Sequence, residues 1–167
     1  MRQIAILHSG SITPVTLANS AAQSPLFTPV TIPQEEIALG RRFRVKLWGV
    51  YSTHSSAPTM QFILVNTGSN TVVTPARTLP ASAENLAWSY ESEMLCYDVA
   101  YGGVALARAK AEFQTNIDGT GIILYCPLAT EVGATIGGNL TLGVNGLWSA
   151  AHASNTLTVQ SSEVEVY

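Results

Sequence analysis

From Arg41 to Tyr51 the chain reads RRFRVKLWGVY. Phe43, Val45 and Leu47 alternate there with Arg42, Arg44, Lys46 and Trp48. A period of two sends the first set to one face of a sheet and the second set to the other. Phe, Val, Trp and Tyr also suit a pleated, half-buried surface, so this stretch predicts a strand. The same kind of pattern recurs downstream between turn signals. Thr59–Asn66 carries Met60, Phe62 and Leu64 on one parity, and Thr71–Leu79 is interrupted by Pro75, which places it at a sheet edge. Leu86–Val99 puts Leu86, Trp88, Tyr90, Met94 and Cys96 on one parity, with Glu91 and Glu93 on the other. Gly102-Gly103 opens Val104–Phe113. Asp118-Gly119, the strongest hairpin signal in the chain, then leads into Gly121–Pro127. Leu140–Ser149 and Asn155–Tyr167 complete the set.

Eight strand candidates with little helix predict an all-β fold, an eight-stranded antiparallel jelly-roll sandwich spanning residues 34–167. One segment has a rival reading. Val104 to Glu112, VALARAKAE, is made of good helix formers, although Ala at every second position also fits a strand with small inward residues. In the last strand, Leu157 and Val159 have one parity while Val164 and Val166 have the other. Both pairs reach the core only if one residue is absorbed near Ser161-Ser162, which predicts a β-bulge there.

Residues 1–33 differ from the rest. RQIAILH reads as a short strand, and a Ser/Thr/Ala tract with Pro14, Pro25, Pro29 and Pro33 follows. That proline density predicts an extended, weakly self-packed arm. The arm is either a loose terminus or an element laid across a neighbouring subunit, with Ile4, Ile6 and Leu7 as an added strand. Trp48 and Val50 point away from the core if Phe43, Val45 and Leu47 point into it. That makes them the other interface candidates, unless the arm folds back over them.

Composition narrows the function classes. Hydrophobic residues make up 47% of the 167, but charged ones only 11%, against roughly 25% in ordinary soluble proteins, and Ser and Thr fill the polar role. A surface so weakly charged is poorly protected against association and suits a protein covered by neighbours in an assembly. A net charge of −3 argues against a dedicated nucleic-acid partner. There is no apolar run of transmembrane length and no secretory pattern, so a membrane partner is not expected. Cys96 and Cys126 lie in apolar runs and read as buried thiols. A disulfide between them has no spacing argument behind it.

Candidate chemistry is sparse. Half of the Lys and Arg residues sit at Arg41, Arg42, Arg44 and Lys46. In a jelly roll the first and last strands are antiparallel neighbours, so Arg42 and Arg44 face Glu163 and Glu165, and cross-strand ion pairs explain both clusters better than a ligand patch does. Glu91 and Glu93 read as solvated carboxylates on an outward face. The run from Asn116 to Gly121 resembles the opening of a calcium loop, but its twelfth position is Pro127 where a bidentate Glu is needed. His8, His54 and His152 are far apart in sequence and form no metal-binding spacing; no nucleophile elbow or phosphate loop occurs. No catalytic residue, metal or cofactor is expected.

Several stretches resemble small structural proteins of tailed bacteriophages. They are Arg44-Val45-Lys46-Leu47-Trp48-Gly49 followed by Ser52-Thr53, and Ala57-Pro58-Thr59-Met60-Gln61-Phe62. Asn85-Leu86-Ala87-Trp88 with Glu91 is a third, and the run from Leu147-Trp148-Ser149 through His152 to Thr158 a fourth. The resemblance covers Gly40 to Tyr167 and rests on strand and turn patterns, not on a catalytic signature. It implies a jelly-roll homotrimer on the virion, a cement or decoration protein on the capsid surface whose partner is the major capsid protein, or a related head or tail component. The alternative is a receptor- or glycan-binding head of a fibre or spike, which calls for aromatics and Asp/Asn clusters in the loops; Ser82–Glu84 and Gly137-Gly138 are poor in both, while Asp98 and Tyr101 supply one of each.

Overall fold

Backbone pairing is the first thing the computed structural model resolves. It describes residues 5–9, 14–66, 69–72, 74–96, 104–116, 121–133 and 139–167. The strands are β1 (Ala5–Ser9), β2 (Val15–Ala18), β3 (Ser24–Pro25), β4 (Val30–Ile32), β5 (Arg42–Ser52), β6 (Thr59–Asn66), β7 (Ser69–Val72), β8 (Arg77–Thr78), β9 (Leu86–Cys96), β10 (Val104–Gln114), β11 (Gly121–Gly133), β12 (Leu140–Trp148) and β13 (Thr156–Val166). Among the described residues a single 3-10 turn, Gln34–Glu36, interrupts them. One sheet has seven strands in the order β1-β13-β5-β9-β10-β11, with β2 also on β13. The other has six, in the order β3-β12-β6-β7, with β4 on β12 and β8 on β6. All pairings are antiparallel. The expected all-β sandwich is the observed architecture, and each of the eight expected strands has its counterpart from β5 onward.

The core lies between the sheets because alternate residues of each strand face inward. β5 contributes Phe43, Val45, Leu47 and Tyr51, and β13 contributes Leu157, Val159, Val164 and Val166, all buried. Trp88 and Tyr90 from β9 and Phe113 from β10 meet Phe62 of β6 in an aromatic cluster, with ring centroids 4.9–5.9 Å from Phe62. Ala107, Ala109 and Ala111 are the buried parity of β10. Val104–Gln114 is therefore a strand: a row of methyl-sized inward residues leaves room for the neighbouring rings, and the sheet overrides helix propensity.

The parity change in the last strand is realised as a register shift between Val159 and Ser161, with Gln160 as the extra residue. Ser162 then faces the core and Ser161 turns outward. Pro75 separates two short strands, β7 and β8, and β7 ends the six-stranded sheet. β11 runs past Pro127 to Gly133, longer than expected. The Asp118-Gly119 turn and the centre of the candidate calcium loop lie outside the described residues, although the β10–β11 pairing that flanks them is present. Asp98, Tyr101 and Gly137-Gly138 lie outside them too.

Residues 14–33 are extended, but they are not weakly packed. β2 pairs with β13, and β3 and β4 pair with β12. Leu17, Leu26, Phe27 and Ile32 are buried members of the core. Proline excludes a helix here without preventing the intervening apolar residues from filling the sandwich.

Candidate binding face

The outer face of the seven-stranded sheet carries most of the charge. Register places Arg44 opposite Glu165 and Lys46 opposite Glu163 on β13, and the same two residues opposite Glu93 and Glu91 on β9. Lys46 Nζ lies 2.8 Å from Glu165 and 3.7 Å from Glu163, and Arg44 reaches Glu165 at 3.5 Å and Glu91 at 3.2 Å. The expected cross-strand pairing holds for Arg44, and Lys46 takes the place opposite Glu163 that was expected for an arginine. Arg42 departs from it, because its backbone pairs with Tyr167 and its guanidinium turns to Glu93 at 2.7 Å.

Glu93 is the hub of this face. Arg42 and Arg108 both approach its Oε1, at 2.7 and 3.0 Å, and Arg44 approaches Oε2 at 3.4 Å. Tyr167 Oη donates to Oε2 at 2.5 Å and accepts from Arg44 Nη2, while the Arg44 guanidinium also lies 4.8 Å from the Tyr167 ring centroid. Glu93 was expected to be solvated, yet its side chain is 7% exposed. Four long side chains converge on it and exclude water. Burial alone pushes its carboxyl up, but hydrogen bonds from Tyr167, Arg108 and Arg44 and the Arg108 charge outweigh that and bring it down to about 2. Burial and the Glu93 bond raise the Tyr167 phenol. Four basic groups thus meet four carboxylates (Glu91, Glu93, Glu163, Glu165), which leaves no net charge to attract a polyanion.

Further along β5 the network gives way to a shelf. Trp48 is 42% exposed, whereas Trp88 and Trp148 are 3% and 1% exposed. Its cross-strand neighbours are Ser89 and Ser161, the smallest polar side chains available, and Glu112 pairs with Ser89 on the far side. The indole therefore stands above short neighbours beside a depression of about 210 Å³ lined by Lys46, Ser89, Glu91, Lys110 and Glu112. Val50, the next outward residue of β5, is half-buried between Ala87 and Thr158. Of the other interface candidates, Ile6 and Leu7 belong to β1 on the sheet edge beside β13, and Ile4 lies outside the described residues.

At one end of the sandwich the fold brings together two histidines that are remote in sequence. The His54 and His152 rings stack with centroids 3.7 Å apart. Nδ1 of each accepts a backbone N–H two residues on, from Ser56 at 3.2 Å and from Ser154 at 3.1 Å. Buried Asn155 ties the two loops, accepting from His54 N and donating to Ala150 O. A neutral imidazole that accepts at Nδ1 carries its proton on Nε2, the wrong tautomer for a metal ligand through that nitrogen. Among the described residues no three metal-ligating side chains gather anywhere, and no helix is long and apolar enough to cross a membrane.

Sequence reasoning located the strand that carries Trp48 and the β5–β13 pairing. It missed the Glu93 hub, whose three arginines come from two strands, and the histidine pair, which is made by loop closure. It also missed Ser89 and Ser161 beside Trp48, which the register of β9 and β13 on β5 sets.

No family model matches the chain, and no curated protein matches it. Solved structures similar to it include arcelin-5, a lectin-like defense protein from Phaseolus vulgaris, at 8% identity and TM-score 0.42, covering 98% of this chain and 92% of that one. Lectin I from Ulex europaeus, in complex with the methyl glycoside of alpha-L-fucose, matches at 8% identity and TM-score 0.40 over 99% and 92%. The CBM2 module of the evolved Dit of Lactobacillus casei BL23 phage J-1 matches at 13% identity and TM-score 0.32 over 82% and 67%.

Proposed function

We propose that this chain is a non-enzymatic structural protein of a phage virion, a cement or decoration protein that assembles as a homotrimer and bridges copies of the major capsid protein on the capsid surface. The observation that carries the assembly is the edge of the seven-stranded sheet. β11 is 13 residues long and pairs on one side with β10, and among the described residues no strand pairs with its other side. Its sequence, GIILYCPLATEVG, has a single charged residue, Glu131. A long edge with so little charge invites further strand pairing unless a neighbour covers it. The opposite edge is formed by β1 and β2 on β13. An edge-to-edge contact between unlike edges is heterologous, and it closes as a threefold ring when each contact turns the next subunit by a third of a circle. The weakly charged surface and the internally neutralised ion pairs support the same reading, in which several modest contacts per subunit add up through avidity.

The test is the mass of the purified full-length chain in solution, with its copy number on purified particles. A trimer has about 53 kDa, three times 17.7 kDa. Hundreds of copies per particle support cement. A 17.7 kDa species that stays monomeric at high concentration and is absent from particles overturns the reading.

A further inference from the structure

We propose that the Trp48 shelf is a carbohydrate site that takes one ring of a neutral saccharide against the indole. The proposal goes beyond the assembly reading, because contacts through the sheet edges leave the outer face free. The case begins with what surrounds the exposed ring. A protein interface core is depleted in charged residues and gathers several apolar anchors. Here Trp48 and Leu39 are the exposed large hydrophobics among the described residues, and Leu39 precedes the strand altogether. Around Trp48 stand Ser89 and Ser161 in register and Lys46, Glu91, Lys110 and Glu112 in the depression. One aromatic face within a field of hydroxyls, ammonium groups and carboxylates is a poor fit for another protein's apolar patch.

A pyranose matches that field. One face of the ring presents C–H groups, whose positive edge is attracted to the negative face of an aromatic ring. Its equatorial hydroxyls radiate in the ring plane, where each can donate to a carboxylate and accept from an ammonium or a serine. With serines at the two positions level with it, Trp48 is 42% exposed. Any longer side chain there would lie across it.

Charge decides which kind of saccharide. The depression has two lysines and two glutamates, and Lys110 is paired with Glu112 and Lys46 with Glu163 and Glu165. A uronic or sialic acid would meet no net positive field, whereas a neutral hydroxyl can join these pairs without breaking them. Size points the same way. A depression of about 210 Å³ is smaller than the roughly 300–1,000 Å³ of sites for drug-sized ligands, so it suits a single ring of a longer chain.

The test uses the full-length chain with neutral gluco-, manno-, galacto- and N-acetylglucosamine oligosaccharides, and in a second arm with neutral polysaccharide from host cell surfaces. Because Trp88 and Trp148 are buried, binding at the shelf reads out as a change in Trp48 emission. Affinity, read for the parent and both variants by titration calorimetry because the variants lack the reporting indole, is expected to fall about tenfold in Trp48→Ala, the factor that one stacked aromatic supplies, and to persist within a few-fold in Trp48→Tyr. Trp48→Ala removes an exposed group, and its thermal melt confirms folding. Binding by free oligosaccharides or by the polysaccharide alone supports the site and tells which source is recognised. No emission change with either arm overturns it, as does equal binding by Trp48→Ala, or loss of capsid attachment in Trp48→Ala with no sugar bound by the parent. None of these outcomes alters the mass measurement on which the assembly reading stands.

Discussion

Gly49 lies against the backbone of Thr158, so close that a Cβ on Gly49 would overlap the Thr158 carbonyl and touch the Gln160 nitrogen. The bulge at Gln160 pushes β13 toward β5 at this point, and only a residue without a side chain accepts the approach. The indole Nε1 of Trp88, the residue paired with Gly49 on β9, donates to Val50 O and Thr158 O, each at 3.2 Å. An inward ring thus satisfies carbonyls beside the break in the ladder.

Gly49→Ala is expected to destabilise the fold by about 1–3 kcal/mol, the usual cost of forcing atoms into a packed site, because the obstacle is backbone and cannot rotate away. Urea denaturation measures it. Deleting Gln160 is expected to be worse. It returns the strand to one parity, so either Leu157 and Val159 or Val164 and Val166 lose the core.

Glu93→Gln leaves Arg42, Arg44 and Arg108 without their shared carboxylate. A loss of about 1–2 kcal/mol is expected, below the roughly 3–5 of a fully buried pair, because the Arg108 side chain is 67% exposed and can turn to solvent. The variant also tests acid sensitivity. The folded-state Glu93 value of about 2 lies below its ordinary 4.5, so the unfolded chain binds more protons in that window. The stabilisation from Glu93 is complete above about 4.5 and lost as pH falls toward 2. Melting temperature against pH is expected to show a shallower acid limb in Glu93→Gln than in the parent; parallel limbs would falsify the hub.

Removal of residues 1–33 is expected to unfold the protein rather than trim it. It deletes Leu17, Leu26, Phe27 and Ile32 from the core, each contributing on the order of 1.5–3 kcal/mol by burial. Circular dichroism and a melt of the truncated chain check this. A cooperative melt near the parent's would restore the detachable-arm reading.

At the paired histidines, Asn and Ala substitutions should separate. Asn places Oδ1 where Nδ1 of His54 or His152 now accepts its turn N–H, so His54→Asn and His152→Asn keep that hydrogen bond. The Ala variants lose it and are expected to be less stable than the Asn variants by about 0.5–1.5 kcal/mol, read from thermal melts.

Much of the sandwich was legible because alternation is a local signal. Strand β5, the inward alanines of β10 and the parity break of β13 all follow from side chains that must face either core or solvent. Two readings failed for a shared reason. Glu93 alternates like a solvated residue, and residues 14–33 read as part of an extended, weakly self-packed arm. Each gains its cover from elsewhere: arginines from β5 and β10 close over Glu93, and pairing beside β12 and β13 takes Leu17, Leu26, Phe27 and Ile32 into the core.

By itself the order of residues determined that this is a two-layer β protein, which residues point inward, and where one strand must bulge, since a period of two leaves each strand little choice. Only tertiary structure decided that a carboxylate is shielded by three arginines and a tyrosine, that two distant histidines stack, and that Trp48 stands clear between two serines. Those facts depend on which strands lie side by side and at what register, and pairing across a sheet is a long-range choice that no single stretch of chain encodes.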